Sequence, residues 1–116
     1  MLRRQWDAVQ GREGGARRGQ RLARVRREIV EIKGRVQGVG FRYTVSAIAG
    51  RHPVSGTVRN LRSGAVEIDV EGDDDIVEAF IDDVLAHPPR MARVDAVARR
   101  SAEPRGIRGF DVGSDG

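Results

Sequence analysis

Residues 34–42 (GRVQGVGFR) have the composition of an anion-binding turn. Backbone N–H groups at such a glycine-rich turn can form a concave anion site, and a helix that starts there carries about half a positive charge at its first turn. Arg42 falls in that first turn, where its guanidinium can bind two phosphate oxygens at once. The pattern alone is equally compatible with an ordinary glycine-rich connection that carries a surface arginine.

The stretch is not one of the common nucleotide signatures. No Gly-Lys-Ser/Thr follows it, as a P-loop requires, and Gly38-Val39-Gly40 does not continue into the dinucleotide fingerprint.

A second polar position follows at the end of residues 56–60 (GTVRN). If this strand and the one before the glycine turn run in the same direction beside a shared neighbour, Asn60 lies on the same edge of the sheet as Arg42. An amide side chain there can hold a water molecule, because it both donates and accepts hydrogen bonds. Taken alone, Asn60 is better interpreted as a strand-end residue that satisfies a local turn.

The hydropathy pattern predicts the elements that position these residues. Alternation predicts strands at residues 30–36, with order beginning near Arg27, and at 54–61, 65–72 and 91–101, with a short fifth strand within 106–112. Helical spacing predicts a helix from Phe41 to Gly50 and a second one after an N-terminal cap of aspartates at 73–75. We interpret the acidic positions Asp69 and Glu71 of the third strand as part of a solvated face.

This order, β-α-β-β-α-β with a short extra C-terminal strand, predicts an α+β fold. It is typical of a ferredoxin-like two-layer sandwich, in which two helices cover one face of an antiparallel sheet.

Composition and charge divide the chain into two parts. Residues 1–27 hold nine arginines and two acidic residues, a net charge of +7, whereas the remainder carries −3. We predict a basic, disordered N-terminal extension at residues 1–27 and one folded domain at 28–114. The extension is a solvated segment in one interpretation and a nucleic-acid or polyanion-binding arm in the other. We prefer the first, because the predicted domain shows no basic groove to match.

The 116-residue chain has no cysteine, which excludes disulfides, thiolate metal sites and a cysteine nucleophile. It also lacks an apolar run near the ~18 residues that a membrane helix needs. We therefore expect a cytoplasmic protein that does not associate with membranes.

Together, the two stretches resemble the signature of the acylphosphatase family, G-x-V-Q-G-V-x-F-R followed by G-x-V-R-N. The resemblance extends over about residues 28–112. It implies an enzyme that hydrolyses the carboxyl-phosphate bond of acyl phosphates to a carboxylate and inorganic phosphate. By this resemblance Arg42 binds the substrate phosphate together with the loop amides, and Asn60 orients the attacking water. The loop residues are Val36, Gln37, Gly38, Val39, Gly40 and Phe41.

The resemblance further implies that no metal, cofactor or covalent intermediate is needed, and that the substrate phosphate itself accepts the proton of the water. We expect a monomer that acts on a small molecule, with no nucleic acid bound by the domain. Two alternatives remain: a non-catalytic module that binds phosphate or acyl phosphate, and a nucleic-acid binder that acts through the extension. Similar modules occur inside larger maturation proteins that use carbamoyl phosphate. Since no further domain follows residue 116, we favour the enzyme.

Overall fold

The computed structural model describes residues 24–113 and residue 115; the extension predicted to be disordered lies almost entirely outside them. Seven elements follow one another in the order that the sequence predicts. They are β1 (Val25–Arg35), α1 (Phe41–Ala49), β2 (Ser55–Asn60), β3 (Val66–Asp73), α2 (Asp74–Ala86), β4 (Arg93–Ala102) and β5 (Phe110–Val112). Within this part of the chain, neither helix is long and apolar enough to cross a bilayer.

The strands form one sheet in the order β4-β1-β3-β2-β5. β3 pairs antiparallel with both β1 and β2, so these two strands run in the same direction and end at the same edge. Val66, at the start of β3, pairs with Ile32 on one side and with Asn60 on the other. The expectation of an antiparallel sheet holds for four strands, whereas β5 adds in parallel to β2 and makes the sheet mixed.

Both helices cover the same face of the sheet and enclose the hydrophobic core. Phe80 of α2 is fully buried and meets Phe110 of β5 edge to face, with the ring centroids 5.7 Å apart. The capping prediction for α2 is confirmed, because the Asp73 side chain accepts a hydrogen bond from the N–H of Asp75. The other large, fully buried core side chains are Val30, Ile32, Val36, Val45, Val58, Val66, Ile68, Val70, Val77, Ile81 and Val84.

The opposite face of the sheet is crossed by the segment that joins β4 to β5, residues 103–109, which we call the strap. β4 and β5 are the two edge strands, so the chain must pass from one edge to the other. The backbone N–H groups of Arg105 and Gly106 donate to the two carboxylate oxygens of Glu71, each at 2.9 Å. Beside it, Asp69 accepts two hydrogen bonds from Arg27, at 2.9 and 2.8 Å.

The expectation that Asp69 and Glu71 belong to a solvated strand face was therefore wrong. The two residues are only 8% and 6% exposed. The strap and the side chain of Arg27 cover them and also donate the hydrogen bonds that buried carboxylates require.

The first strand begins at Val25, two residues before the predicted onset of order, because ion pairs hold its start to α2. Arg26 donates to Asp74 at 2.6 Å and to Glu78 and Glu28 at 2.7 Å. Arg99 of β4 also donates to Glu28 and Glu78. Arg99 and then Arg26 lower the pKa of Glu78 to about 2.

The carboxylate of Glu71 gives a first prediction. The N–H groups of Arg105 and then Gly106 hold the pKa of Glu71 below its ordinary value of 4.5. Because the pKa is lowered on folding, the ionised group stabilises the fold above about pH 4.5, and this contribution is lost as the pH falls through the folded-state pKa. We expect Glu71→Gln to lower the free energy of unfolding at neutral pH by about 1.5–3 kcal/mol.

Denaturant unfolding of both proteins from pH 7 to pH 3 measures this effect. The difference between the variant and the wild type should shrink as the pH falls below 4.5. Asp82→Asn, on the exposed side of α2, is the matched control and should change stability by less than about 0.5 kcal/mol. Equal effects of the two substitutions would contradict the role of Glu71.

Candidate functional site

The connection between β1 and α1 is a glycine loop, residues 36–41, whose backbone needs left-handed conformations. Gly38 has a φ of 75° and Gly40 a φ of 81°, values that residues with a Cβ rarely adopt. The ends of the loop are fixed, because Val36 and Phe41 are buried in the core. The sequence Gly-x-Gly between two apolar anchors thus produces a tight turn at the end of a strand.

The glycine loop leads directly into the N-terminus of α1. Gly40 is the N-cap residue, and no side chain caps this end of the helix within the described part of the chain. The first helical hydrogen bond runs from the N–H of Thr44 to the carbonyl of Gly40. The N–H groups of the preceding turn are therefore outside the helical ladder, and the helix dipole adds a partial positive charge there.

The side chain of Gln37 ties the loop to the turn after β2. Its Nε2 group donates to the carbonyl oxygens of Leu61 and Ala65, both at 2.8 Å. Leu61 directly follows Asn60, so the amide of Gln37 sets the distance between the glycine loop and the end of β2. The sequence places Gln37 in the loop but does not indicate what its side chain does.

A cleft of about 430 Å³ lies where the loop, α1 and the end of β2 meet. Arg42 and Asn60, predicted from separate stretches of sequence, both line it. Asn60 shares a face of the sheet with its partner Val66, the face that the helices cover, so it is directed toward α1. The remaining lining residues are Val36, Gly38, Gly40, Phe41, Tyr43, Ser46 and Val112.

Two of the eight predicted site residues, Gln37 and Val39, are not among the residues that line the cleft. Gln37 is engaged with the turn after β2, and Val39 packs against the hydrophobic core. Both belong to the loop, and they maintain its shape by these contacts.

Arg42 contacts the C-terminal end of the described chain. One of its terminal nitrogens, Nη1, lies 2.9 Å from the carboxylate of Asp115 and 3.4 Å from the carbonyl of Gly113. The carboxylate is highly exposed, so this ion pair is weak and open to exchange with other anions. The guanidinium is thus held at the cleft.

Three lining residues were missed by the sequence interpretation: Tyr43, Ser46 and Val112. Helical spacing could have found Ser46, since it lies four residues after Arg42 on the same side of α1. Val112 could not have been found, because it reaches the cleft only through the parallel pairing of β5 with β2, opposite Val58.

These groups can bind an oxyanion and position a small polar molecule beside it. The loop and Arg42 supply donors, and the amide of Asn60 both donates and accepts. No carboxylate, histidine or lysine is among the cleft-lining residues in the described part of the chain, although the carboxylate of Asp115 lies against Arg42.

The sequence of this chain is similar to those of known proteins. The family model described as acylphosphatase matches residues 28–112. An acylphosphatase of Thermococcus kodakarensis is 47% identical over 91 residues, which cover 78% of this chain and 98% of that relative.

Solved structures give the same result for the fold. The crystal structure of acylphosphatase from Bacillus subtilis matches with a TM-score of 0.70 and 30% identity, over 78% of this chain and 99% of that one. Full-length HypF in its phosphate- and nucleotide-bound form matches with a TM-score of 0.76 and 35% identity, over 82% of this chain but only 13% of HypF. With a family match across the whole described domain and relatives matched along nearly their full length, this chain belongs to the acylphosphatase family.

Proposed function

We propose that this chain hydrolyses acyl phosphates by holding the phosphate group on the glycine loop and Arg42 while Asn60 orients the attacking water. The observation that carries this proposal is the shared cleft: an N-terminal helix turn, a guanidinium and a strand-end amide meet around one volume. Family membership supports the reaction, and the position of these groups at one cleft supports the proposed roles.

In this mechanism the water oxygen forms a bond to phosphorus as the bond from phosphorus to the acyl oxygen breaks. The departing carboxylate is a weak base and leaves without a proton. The proton of the water passes to a phosphate oxygen, which fits a cleft whose described lining has no side-chain base. Catalysis then comes from positioning and from electrostatic stabilisation of the charge on the phosphoryl oxygens.

Loop geometry suits this task because the donors are in place before the substrate binds. Gly38 and Gly40 keep the backbone accessible, since no Cβ stands in front of it. The Gln37 bridge holds the loop against the end of β2, which fixes the distance between the bound phosphate and the water on Asn60. Donors arranged in advance lose little free energy to reorganisation during the reaction.

We also propose that the domain works as a monomer in the cytoplasm on a small-molecule substrate, without nucleic acid. The absence of cysteine and the net charge of −3 on residues 28–116 support this. Gel filtration, cell fractionation and a salt-dependent nucleic-acid binding assay test it, and a stable RNA complex at physiological salt would contradict it.

The second candidate is a module that binds phosphate without hydrolysis. The likeness to a small part of HypF favours it, because there the matching fold occurs within a much longer chain. Folded protein that binds inorganic phosphate and leaves an acyl phosphate intact would support the module over the enzyme.

Substitution of Arg42 and Asn60 gives the central prediction. We expect Arg42→Ala to lower kcat/KM for benzoyl phosphate by at least about 100-fold in EDTA and to abolish inhibition by inorganic phosphate, since the guanidinium stabilises phosphoryl charge. Asn60→Ala should lower kcat by a similar factor and change the inhibition constant of phosphate little, because Asn60 acts on the water.

Arg59→Ala is the matched control for both. Arg59 adjoins Asn60 in the chain, but its side chain pairs with Glu67 at 2.9 Å outside the cleft. It should keep kinetics near the wild type. If Arg42→Ala and Arg59→Ala behave alike, the assigned roles are wrong.

The Gln37 bridge gives a separate prediction. Gln37→Met keeps the length of the side chain but removes both donors to Leu61 and Ala65. We expect kcat/KM to fall by about 10- to 100-fold because the loop moves relative to Asn60. Arg62→Met, in the exposed turn nearby, is the control. Wild-type kinetics in a folded Gln37→Met variant would show that the bridge does not position the loop.

The Asp115 carboxylate gives a prediction in which the substitution improves substrate binding. The Asp115 carboxylate lies 2.9 Å from Nη1 of Arg42, so a substrate phosphate must displace it to bind that nitrogen. Because an exposed ion pair contributes at most about 1 kcal/mol, we expect Asp115→Asn to lower KM by up to about fivefold and to leave kcat nearly unchanged. An increased KM would mean that Asp115 instead helps to position the guanidinium.

A further inference from the structure

We infer that Tyr43 and Val112 form an acyl-binding rim, which gives the site a preference for apolar and above all aromatic acyl groups. The inference rests on the proposed function and extends it from the phosphate to the other half of the substrate. Nothing in the phosphate-binding machinery itself discriminates between acyl groups.

Both rim residues are exposed apolar side chains at the cleft. Tyr43 is 79% exposed and Val112 49% exposed. The other large hydrophobic side chains exposed on the described domain, Val25, Met91 and Val97, are not among the lining residues. Exposure of apolar surface has a free-energy cost in water, and a ligand that covers it removes this cost.

The rim follows from the two elements that flank the phosphate site. Tyr43 follows Arg42 in the first turn of α1, and both residues line the cleft. Val112 pairs with Val58 in the parallel ladder and therefore shares the face of the sheet on which the helices pack. One rim residue thus comes from the helix and the other from the edge strand next to it.

The size of the cleft leaves room for more than phosphate. At about 30 Å³ for a water-sized group, the five heavy atoms of a phosphate fill less than half of the 430 Å³. The carbonyl carbon of an acyl phosphate is only two bonds from phosphorus, so the acyl group must lie in the remaining space next to Arg42. The apolar lining of that space is the rim.

An aromatic acyl group gains more from this rim than an acetyl group. A benzoyl ring can pack on the Tyr43 ring, whereas one methyl group covers little of either rim residue. Since the contacts persist in the transition state, we expect them to favour the aryl substrate by roughly threefold to tenfold in kcat/KM.

The test compares benzoyl and acetyl phosphate with the full chain and with Tyr43→Ala, Tyr43→Phe and Val112→Ser. The ratio of the two kcat/KM values in a variant, divided by the wild-type ratio, removes the intrinsic reactivity of the substrates. Calorimetric binding of the methylene phosphonate analogues of both substrates gives a readout independent of turnover. Met91→Ala is the control for loss of an exposed apolar side chain elsewhere.

We expect Tyr43→Ala and Val112→Ser to lower the benzoyl-to-acetyl ratio by roughly threefold to tenfold. Tyr43→Phe and Met91→Ala should keep it, and the inhibition constant of inorganic phosphate should stay unchanged throughout. Equal loss for both substrates, or an unchanged ratio, would overturn the rim while leaving the proposed hydrolysis intact. Preferential binding of the aryl analogue by a protein without turnover would support the rim and overturn the proposed hydrolysis instead.

Discussion

The antiparallel pairing of β3 with both β1 and β2 is the constraint on which the site depends. Two strands that share an antiparallel neighbour must run in the same direction, so their ends meet at one edge. The glycine loop follows the first of these ends, and Asn60 is the second. If β2 paired with β3 one residue out of this register, Asn60 would turn to the opposite face of the sheet, because side chains alternate along a strand. The arrangement of the cleft is therefore a consequence of register as much as of residue type.

The strap determines the position of β5, which lines the other side of the cleft. β5 contributes Val112 to the lining and leads to Gly113, whose carbonyl contacts Arg42. Its path there is set on the far face of the sheet, where Glu71 of β3 accepts two backbone hydrogen bonds from the strap. A buried carboxylate is stable only with such partners, so the strap and Glu71 require one another. The two faces of the sheet thus cooperate: one holds the core and the cleft, and the other holds the segment that completes the cleft.

Charge is distributed in a way that keeps the cleft receptive to anions. Away from the cleft, buried carboxylates are matched with arginines, as in Arg27 with Asp69 and Arg99 with Glu28. At the cleft, Arg42 faces only the exposed carboxylate of Asp115 among its described ion pairs. An arginine in a buried ion pair would exchange poorly with a substrate, because the loss of one partner leaves an uncompensated charge. The exposed ion pair of Arg42 and the buried ion pairs of Arg27 and Arg99 suit the proposed binding and release of phosphate at Arg42.

The sequence by itself determined the element order, the apolar faces and the two stretches that carry the chemistry, because periodicity and glycine placement are local properties. It also brought Arg42 and Asn60 to one edge, since the order β-α-β-β-α-β leaves few ways to pair the strands. What it could not determine were contacts between residues distant in the chain: the burial of Asp69 and Glu71 under the strap, the bridge from Gln37 to Leu61, and the arrival of Val112 at the cleft. The alternation that predicts β3 is the same whether its polar face meets water or a crossing segment. Only the tertiary structure, by placing β4 and β5 at opposite edges, decided that this face would be covered and that its carboxylates would hold the strap.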